Sequence, residues 1–287
     1  MSTTVTPPTP PAPPAPEPAG QPQRPGPSNA AKAVAILAII FGAFVLVGGL
    51  ASTALSTIAA ASVSTQSQTE SAAGVTMLDA DVSAGSLRIE FADVRQAELD
   101  VTRAWGAGEW TLERSGSTLV IASPEGAWGS GWWWFGGTGD AVLRLPLGVE
   151  GADADLTLSA GSLAVDGEFD DIRLELGAGS ADVSGVADSI VADISAGSGN
   201  VDLSDVADAD LSVSAGSLDV TLSGATPEDV SLEVSAGSLT VTVPDDVYDI
   251  RSDVSAGDFE NRIGSTAGAP NSIDVQVSAG QVVLRSR

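Results

Sequence analysis

Histidine and cysteine are absent from this sequence, and basic residues are scarce. Without those two residue types the chain has no disulfide, no metal site built on Cys or His, and no histidine-dependent nucleophilic triad. Its 12 Lys and Arg residues stand against 38 Asp and Glu residues, which gives a net charge of -26. Since binding to nucleic-acid phosphates requires a basic patch, we expect no nucleic-acid partner.

Acidic residues are almost missing from the start of the chain, which is rich in proline instead. Residues 1–32 carry Glu17 against Arg24 and Lys32, so the acidic excess lies in the remainder. A Pro/Ala-rich composition cannot bury a core and favours extended, disordered conformations. We therefore predict a disordered cytoplasmic tail over 1–32, acting as a spacer, with an intracellular docking ligand as the alternative.

A long uncharged run follows this tail. Residues 33–50 contain no charged side chain, and this length is sufficient to cross a bilayer as a helix. Arg24 and Lys32 precede the run, whereas the next basic residue is Arg88. Positive-inside bias then places the N-terminus in the cytoplasm and the bulk of the chain outside the cell.

These signals predict four segments. They are a cytoplasmic tail, an uncleaved transmembrane helix over 33–61, a polar linker over 62–74 and an extracytoplasmic β-repeat domain over 75–287. The alternative to the anchor is a signal peptide cleaved after the alanines at 59–61. The expected localisation is the cell membrane, with a single pass and the membrane itself as a partner.

One phrase, Val213-Ser-Ala-Gly-Ser-Leu218, organises the β-repeat domain. It recurs with small changes, and its central glycines are Gly85, Gly161, Gly179, Gly197, Gly216, Gly237, Gly257 and Gly280. The last seven glycines are spaced by 18 to 23 residues. Self-similarity at such a period is typical of a repeat architecture.

Each copy alternates apolar and polar residues. In one copy the apolar positions before the glycine are Ala209, Leu211, Val213 and Ala215, and those after it are Leu218, Val220 and Leu222. Strict period-2 alternation predicts strands with one buried face. The alternation slips by one residue at the glycine, so we predict a corner there, with the preceding alanine filling its inside.

A strand, a corner, a second strand and a short loop repeated about every twenty residues predict an all-β fold. The favoured architecture is a β-solenoid of stacked coils, and the alternative is a β-sandwich of short strands. Strands are also expected near 97–101, 119–121 and 140–147, so residues 92–150 are interpreted as degenerate coils or a cap. Open β-edges at the ends of such a stack also invite self-association.

The far end of the repeats predicts a C-terminal cap. The copy around Gly257 is irregular, because Phe259 and Asn261 stand where other copies have aliphatic residues. We expect that copy to begin the cap and the last copy to close the stack, with Arg285 and Arg287 protecting its edge.

Aspartates are frequent throughout the repeats. We place the following in the loops between coils, as solvated turn residues rather than calcium ligands: Asp170, Asp171, Asp205, Asp208, Asp210, Asp245, Asp246 and Asp249.

A cluster of aromatic residues is the candidate binding loop. It comprises Trp128, Trp132, Trp133, Trp134 and Phe135, separated by glycine and serine. Large aromatics on flexible glycines can stack on sugar rings, sit at a membrane interface or anchor a partner protein. The alternative is a loop that folds its aromatics over the end or side of the solenoid. A surface glycan or an envelope protein is the expected partner class.

Catalytic signals are missing from the rest of the chain. No Gly-x-Ser-x-Gly elbow occurs, no histidine is available as a base, and the basic residues are scattered. We expect no enzyme activity and no cofactor, with a carbohydrate-active enzyme as the least favoured alternative.

The repeated aliphatic-Ser-Ala-Gly-Ser-aliphatic phrase, together with the strand Asp140–Pro146, resembles the bacterial putative-adhesin domain of unknown function. It is similar to the membrane-anchored versions found in actinobacteria, over about Val75 to Arg287. The resemblance implies an extracytoplasmic β-solenoid without defined catalytic residues. The leading hypothesis is a non-catalytic envelope protein for surface binding, adhesion or envelope structure. The alternative is an accessory of envelope-stress signalling.

Overall fold

The computed structural model describes residues 64–103, 108–124 and 139–287. Within these ranges the prediction of an all-β chain is confirmed, since seventeen strands form one sheet and the only helical element is a 3-10 turn at Leu147–Val149. None of these residues belongs to a helix with the length and apolarity that a bilayer crossing requires. The predicted tail at 1–32 and the predicted transmembrane helix at 33–61 lie outside the described residues.

Seventeen strands follow one another along the chain. They are β1 (Ser64–Glu70), β2 (Met77–Val82), β3 (Gly85–Ala92), β4 (Ala97–Arg103), β5 (Thr111–Ser115), β6 (Thr118–Ala122), β7 (Asp140–Pro146), β8 (Ala152–Val186), β9 (Ser189–Ser204), β10 (Asp208–Val213), β11 (Ser217–Ser223), β12 (Asp229–Val234), β13 (Ser238–Val243), β14 (Tyr248–Val254), β15 (Asp258–Asn261), β16 (Asn271–Val277) and β17 (Gln281–Ser286). β8 contains two copies of the repeat and β9 contains one.

Copies of the repeat pair with one another in parallel and at equivalent positions. β10 pairs with β9 and β12, so that Leu211 lies opposite Ala192 and Leu232. β11 pairs in the same way with β9 and β13, and Val220 lies opposite Val201. Strands before the corner therefore pair with strands before the corner, and strands after it with strands after it.

Most of the predicted core positions on the strands are confirmed. Leu211, Val213, Leu218 and Val220 are at most a few per cent exposed, and so are their aliphatic equivalents in the other copies except the one around Gly257, where Val254 is 39% exposed. Because pairing is in register, each buried side chain lies beside its counterpart in the neighbouring copy. Burial of each Val or Leu contributes about 1.5–3 kcal/mol relative to exposure.

The corner differs from the prediction by one residue. Ala215 and Ala236 are exposed and Ala196 is half-buried, so the alanines do not fill the inside of the corner. The glycine occupies that place, since a Cβ atom on Gly216 would lie 2.3 Å from the carbonyl oxygen of Gly197. The two residues before the glycine, Ser214 and Ala215, both face outward, and this shifts the alternation of buried and exposed positions by one residue. The prediction was wrong because both small residues fit the sequence pattern equally well.

Close approach, more than backbone conformation, requires glycine at these corners. Gly85, Gly161 and Gly179 have φ values of 119°, 127° and 120°, in the region that favours glycine. From Gly197 onward the corner glycines lack a positive φ, yet a Cβ on Gly197 would still lie 2.7 Å from the carbonyl oxygen of Gly179. The same contact repeats from copy to copy.

The order of the last two copies is reversed in the sheet. β16 lies between β12 and β14, and β17 lies between β13 and β15. The expectation that the last copy closes the stack was therefore wrong, and Arg285 Nε donates to Thr242 Oγ1 of β13 at 2.9 Å instead of protecting an edge. The copy around Gly257 is outermost because Ser252 and Asn261 replace aliphatic core residues and cannot be covered on both sides.

The other end of the sheet mixes parallel and antiparallel pairs. β6 is parallel to β2 and β7 is parallel to β3, so this pair adds one layer beyond the first copy. β5 is antiparallel to β6, and β4 is antiparallel to both β7 and β1. The strands predicted near 97–101, 119–121 and 140–147 are present as β4, β6 and β7.

Candidate functional site

The strands that precede each corner glycine present an acidic surface, which we call the acidic face. Alternation directs the residues seven, five and three before the glycine into the core, and so the residues eight, six and four before it point outward. The acidic residues of this face are Asp79, Asp81, Asp153, Asp155, Asp171, Glu175, Asp193, Asp208, Asp210, Asp229, Glu233, Asp249, Asp253 and Asp274. None of them is buried.

The sequence pattern predicts that Asp210 and Asp274 face water, but the acidic face was not recognised as one surface, because four of its residues were assigned to loops. The loop prediction was wrong for five aspartates that lie within strands, namely Asp170, Asp171, Asp208, Asp210 and Asp249. It is confirmed for three that lie between strands, namely Asp205, Asp245 and Asp246. The signal was nevertheless available, because the alternation that locates the core also locates the outward positions.

Carboxylates of neighbouring copies lie opposite one another on the acidic face. Asp79 is paired in register with Asp155, and Asp208 with Asp229. Adjacent strands are about 4.8 Å apart, so like charges repel along the face. Partial burial, followed by repulsion from Asp155 and Asp81, raises the pKa of Asp79 above its ordinary value. Such a surface favours cationic groups at its carboxylates and disfavours anionic polymers.

Two arginines interrupt the acidic face. Arg173 lies 2.7 Å from Glu175 and 3.7 Å from Asp193, and the hydrogen bond to Glu175 is the main reason that the pKa of Arg173 is raised. Arg251 lies 3.2 Å from Asp249. Except for that of Asp249, the side chains in these pairs are solvent-exposed, so the pairs moderate the repulsion but contribute little to stability.

Two shallow depressions mark the acidic face. The first, of ≈ 260 Å³, is lined by Ser189, Ile190, Val191, Asp208, Ala209, Asp210, Asp229, Val230, Ser231, Ser272 and Asp274. The second, of ≈ 390 Å³, surrounds Gly177, which stands where most copies have an outward serine. In the described ranges no three acidic side chains are grouped in a way that could hold a metal ion.

The predicted aromatic binding loop, Trp128, Trp132, Trp133, Trp134 and Phe135, lies outside the described residues. The structure does place its two points of attachment. The chain leaves β6 at Ser123 and returns at Gly139, just before β7.

Both attachment points take the place of a repeat corner. Ser123 Oγ accepts from the backbone N–H of Ser83 at 2.8 Å and from that of Ala84 at 3.4 Å. The backbone N–H of Ser86 donates to the carbonyl of Gly139 at 3.3 Å. In the repeats the residue after the corner glycine donates in the same way to the corner glycine of a neighbouring copy. The chain thus leaves and re-enters the described structure at a corner of the layer beside the first copy.

This corner position was not evident from the sequence. Recognising it requires knowing that β6 and β7 pair with β2 and β3, which are the two halves of the first copy. A serine directly after one strand and a glycine directly before the next were the local signals.

No protein-family model matches the chain, and no curated protein matches it. The solved structures that are similar to it include two crystal structures. One is a putative cell adhesion protein from Clostridium sporogenes, with a TM-score of 0.38 and 14% identity, covering 78% of this chain and all of that one. The other is a putative adhesin from Bacteroides fragilis, with a TM-score of 0.42 and 12% identity, covering 78% of this chain and 97% of that one. At these values neither likeness bears on what this chain does.

Proposed function

We propose that this chain is a non-catalytic β-solenoid that is anchored in the cell membrane and acts outside the cell in surface binding, adhesion or envelope structure. Its partner is an envelope glycan or protein. The observation that carries the proposal is the regular, outward-facing array of acidic residues on strands paired copy to copy in parallel.

The solenoid part of the proposal is supported by pairing on both sides of each corner. Gly216 lies against Gly197, and Gly237 lies against Gly216. The strands on either side of those glycines pair with the matching strands of the next copy. A chain that makes one winding per copy gives this pattern, because each winding then repeats the position of the one before it.

The binding part of the proposal is supported by the exposed chemistry. The acidic face repeats its carboxylates at the strand spacing of about 4.8 Å, which suits an extended partner with repeated groups. The aromatic binding loop is attached to the same sheet through Ser123 and Gly139. Aromatic side chains stack on sugar rings and anchor protein partners.

The anchoring part of the proposal is supported by the sequence. Residues 33–50 are uncharged, with Arg24 and Lys32 on the N-terminal side. A helix over 33–61 would place the β-repeats outside the cell, with the N-terminus in the cytoplasm.

Two sets of substitutions test the binding surface. One replaces Trp132, Trp133 and Trp134 with alanine, and the other replaces Asp208, Asp210 and Asp229 with serine. The matched control replaces three exposed aspartates from the strands after the corner, namely Asp182, Asp202 and Asp219, with serine. Retention of the full-length protein on cells, isolated wall glycan and liposomes is measured.

The proposal predicts that at least one of the two test sets loses retention on cells or wall glycan, whereas the control set keeps it. Equal retention of all variants on all three materials would contradict it. Because the proposed anchor at 33–61 is present in every variant, a difference between variants in retention on liposomes, and not retention itself, would indicate that the substituted surface binds lipid.

A further inference from the structure

We propose that residues 262–270 form an edge guard, and that without it the outer edge of β14 pairs with the same edge of a second copy of this chain. The edge guard is the segment between β15 and β16. The inference concerns self-association and is independent of the surface that binds a glycan or an envelope protein.

The outer edge of β14 has no neighbouring strand among the described residues. β14 pairs with β16 on one side, and β16 in turn pairs with β12. Backbone groups along a strand point alternately to its two sides. The carbonyl of Tyr248 and both backbone groups of Ile250 point to the outer side, because their partners lie in the edge guard. The same alternation directs Ser252 and Val254 outward.

The edge guard occupies one half of this edge. The backbone N–H of Thr266 donates to the carbonyl of Tyr248 at 2.8 Å. The Ser265 hydroxyl accepts from the N–H of Ile250 at 3.0 Å and donates to its carbonyl at 3.4 Å. A single hydroxyl therefore takes both groups that a pairing strand would use at this position.

The other half of the edge is uncovered. No backbone bond to Ser252 or Val254 from outside the sheet occurs in the described part of the chain, and the side chain of Val254 is 39% exposed. Unpaired backbone groups along a strand edge are a template for pairing with another chain. The free stretch is short, because the edge guard begins opposite Ile250.

A second copy fits this edge because the sequence is self-complementary about Ser252. In an antiparallel pair centred on Ser252, Arg251 of each copy lies opposite Asp253 of the other, and Ile250 lies opposite Val254. Opposite charges on directly opposed residues stabilise a strand pair. The two Ser252 residues, whose backbone groups point outward, would form a hydrogen-bonded pair. The edge guard prevents this pairing because it already occupies Ile250 and Tyr248.

A cysteine cross-link tests the proposal, since the chain has no native cysteine. Ser252→Cys is introduced into the full-length chain with the edge guard intact and with the guard weakened by Ser265→Ala and Thr266→Pro. Directly opposed residues of a hydrogen-bonded antiparallel pair have Cα atoms about 5.5 Å apart, within reach of a disulfide. Mild detergent keeps the apolar stretch 33–50 from driving association by itself.

We expect the guard-weakened variant to form a disulfide dimer under mild oxidation at least about tenfold faster than the variant with the intact guard. Arg251→Asp in the guard-weakened background places acid opposite Asp253 and is expected to abolish the dimer. Adding Asp253→Arg restores the opposed charges and is expected to restore it.

Three controls accompany the cross-link. Ala267→Ser changes an exposed residue of the edge guard that takes part in none of these bonds. Ser231→Cys places the cysteine on β12, which has a neighbouring strand on each side. Circular dichroism establishes that each variant keeps its β-structure. A folded guard-weakened variant that stays monomeric, equal cross-linking with and without the guard, or no rescue by the charge exchange would overturn the proposal.

Discussion

At both ends of the sheet, backbone groups of an edge strand need hydrogen-bond partners, and the two ends supply them from different side chains. At the β5 end, Gln68 Nε2 donates to the carbonyl of Trp110 at 2.6 Å and its Oε1 accepts from the N–H of Leu112 at 3.1 Å. At the β14 end, the Ser265 hydroxyl bonds both backbone groups of Ile250. In each case one polar side chain takes a donor and an acceptor that an edge strand would otherwise expose.

The two ends differ in how much hydrophobic packing surrounds Gln68 at one end and Ser265 at the other. At the β5 end Trp110 is 1% exposed, and β1 and β4 add antiparallel pairs. At the β14 end Ile250 and Phe259 are only partly buried, and Val254 is 39% exposed. Hydrophobic packing thus covers most of the β5 end. At the β14 end, polar residues occupy core positions and the edge guard covers part of the outer strand.

The largest expected effect comes from removing the aromatic side chain at each end. Trp110→Ala should destabilise the domain by about 3–5 kcal/mol, because it empties a buried site. Phe259→Ala at the other end should cost less than half as much, because Phe259 is already partly solvated. Urea unfolding followed by circular dichroism measures both. Equal losses would contradict the contrast between a packed end and a polar end.

The second-largest effect is expected from removing Gln68 or Ser265, the two side chains that bond to backbone groups of the edge strands. Gln68→Ala leaves a part-buried carbonyl and N–H without their partner and should cost about 1–3 kcal/mol. Ser265→Ala exposes comparable groups of Ile250 to water, which can replace the hydroxyl, so its cost should be smaller. Hydrogen exchange at the Leu112 and Ile250 amides reports each edge separately. If Gln68→Ala left exchange at the Leu112 amide unchanged, or accelerated it less than exchange at the Ile250 amide, the result would count against this account.

The smallest effect is a difference in acid sensitivity. The hydrogen bond from Ser67, followed by that from Arg144, lowers the pKa of Asp100 below 3.8, and the Arg144 Nη1 atom lies 2.7 Å from Asp100 Oδ2. A carboxyl group whose pKa is lowered by folding stabilises the protein at pH values above its ordinary pKa. This contribution is lost as the pH falls through the lowered pKa. Asp100→Asn should therefore flatten the loss of stability below about pH 4.

Glu260 provides the matching test at the β14 end. The hydrogen bond from Arg262 lowers the pKa of Glu260, but that pair is exposed. Glu260→Gln should change the acid dependence less than Asp100→Asn does, because solvent screens the pair. Urea unfolding at a series of pH values compares them, and a larger effect of Glu260→Gln would reverse the expected order.

Much of the interior was predictable from the sequence. Period-2 alternation located Leu211, Val213, Leu218 and Val220 in the core, and all four are buried. The corner was misplaced by one residue because alanine and glycine are both small. The difference arises from contact with the neighbouring copy, where a Cβ on Gly216 would meet a backbone oxygen.

The order of copies at the β14 end could not be predicted from local patterns. A strand carries the same alternation whether it lies in the middle of a stack or at its end. The copies were therefore expected to follow one another in the sheet in the order of the sequence. Ser252 and Asn261 in core positions were the available signal that their copy is outermost. The acidic face was equally available from the alternation, and the attachment of the aromatic binding loop required long-range pairing that no local pattern contains.

The most direct test of the account is an intrachain disulfide between neighbouring copies. Ser198 of β9 lies opposite Ser217 of β11, and Ser217 lies opposite Ser238 of β13. Parallel neighbours about 4.8 Å apart are within disulfide reach, whereas residues two strands apart are not. If successive copies are successive windings, Ser198→Cys with Ser217→Cys should cross-link within one chain, and Ser198→Cys with Ser238→Cys should not. Cross-linking of the second pair without the first would contradict the account.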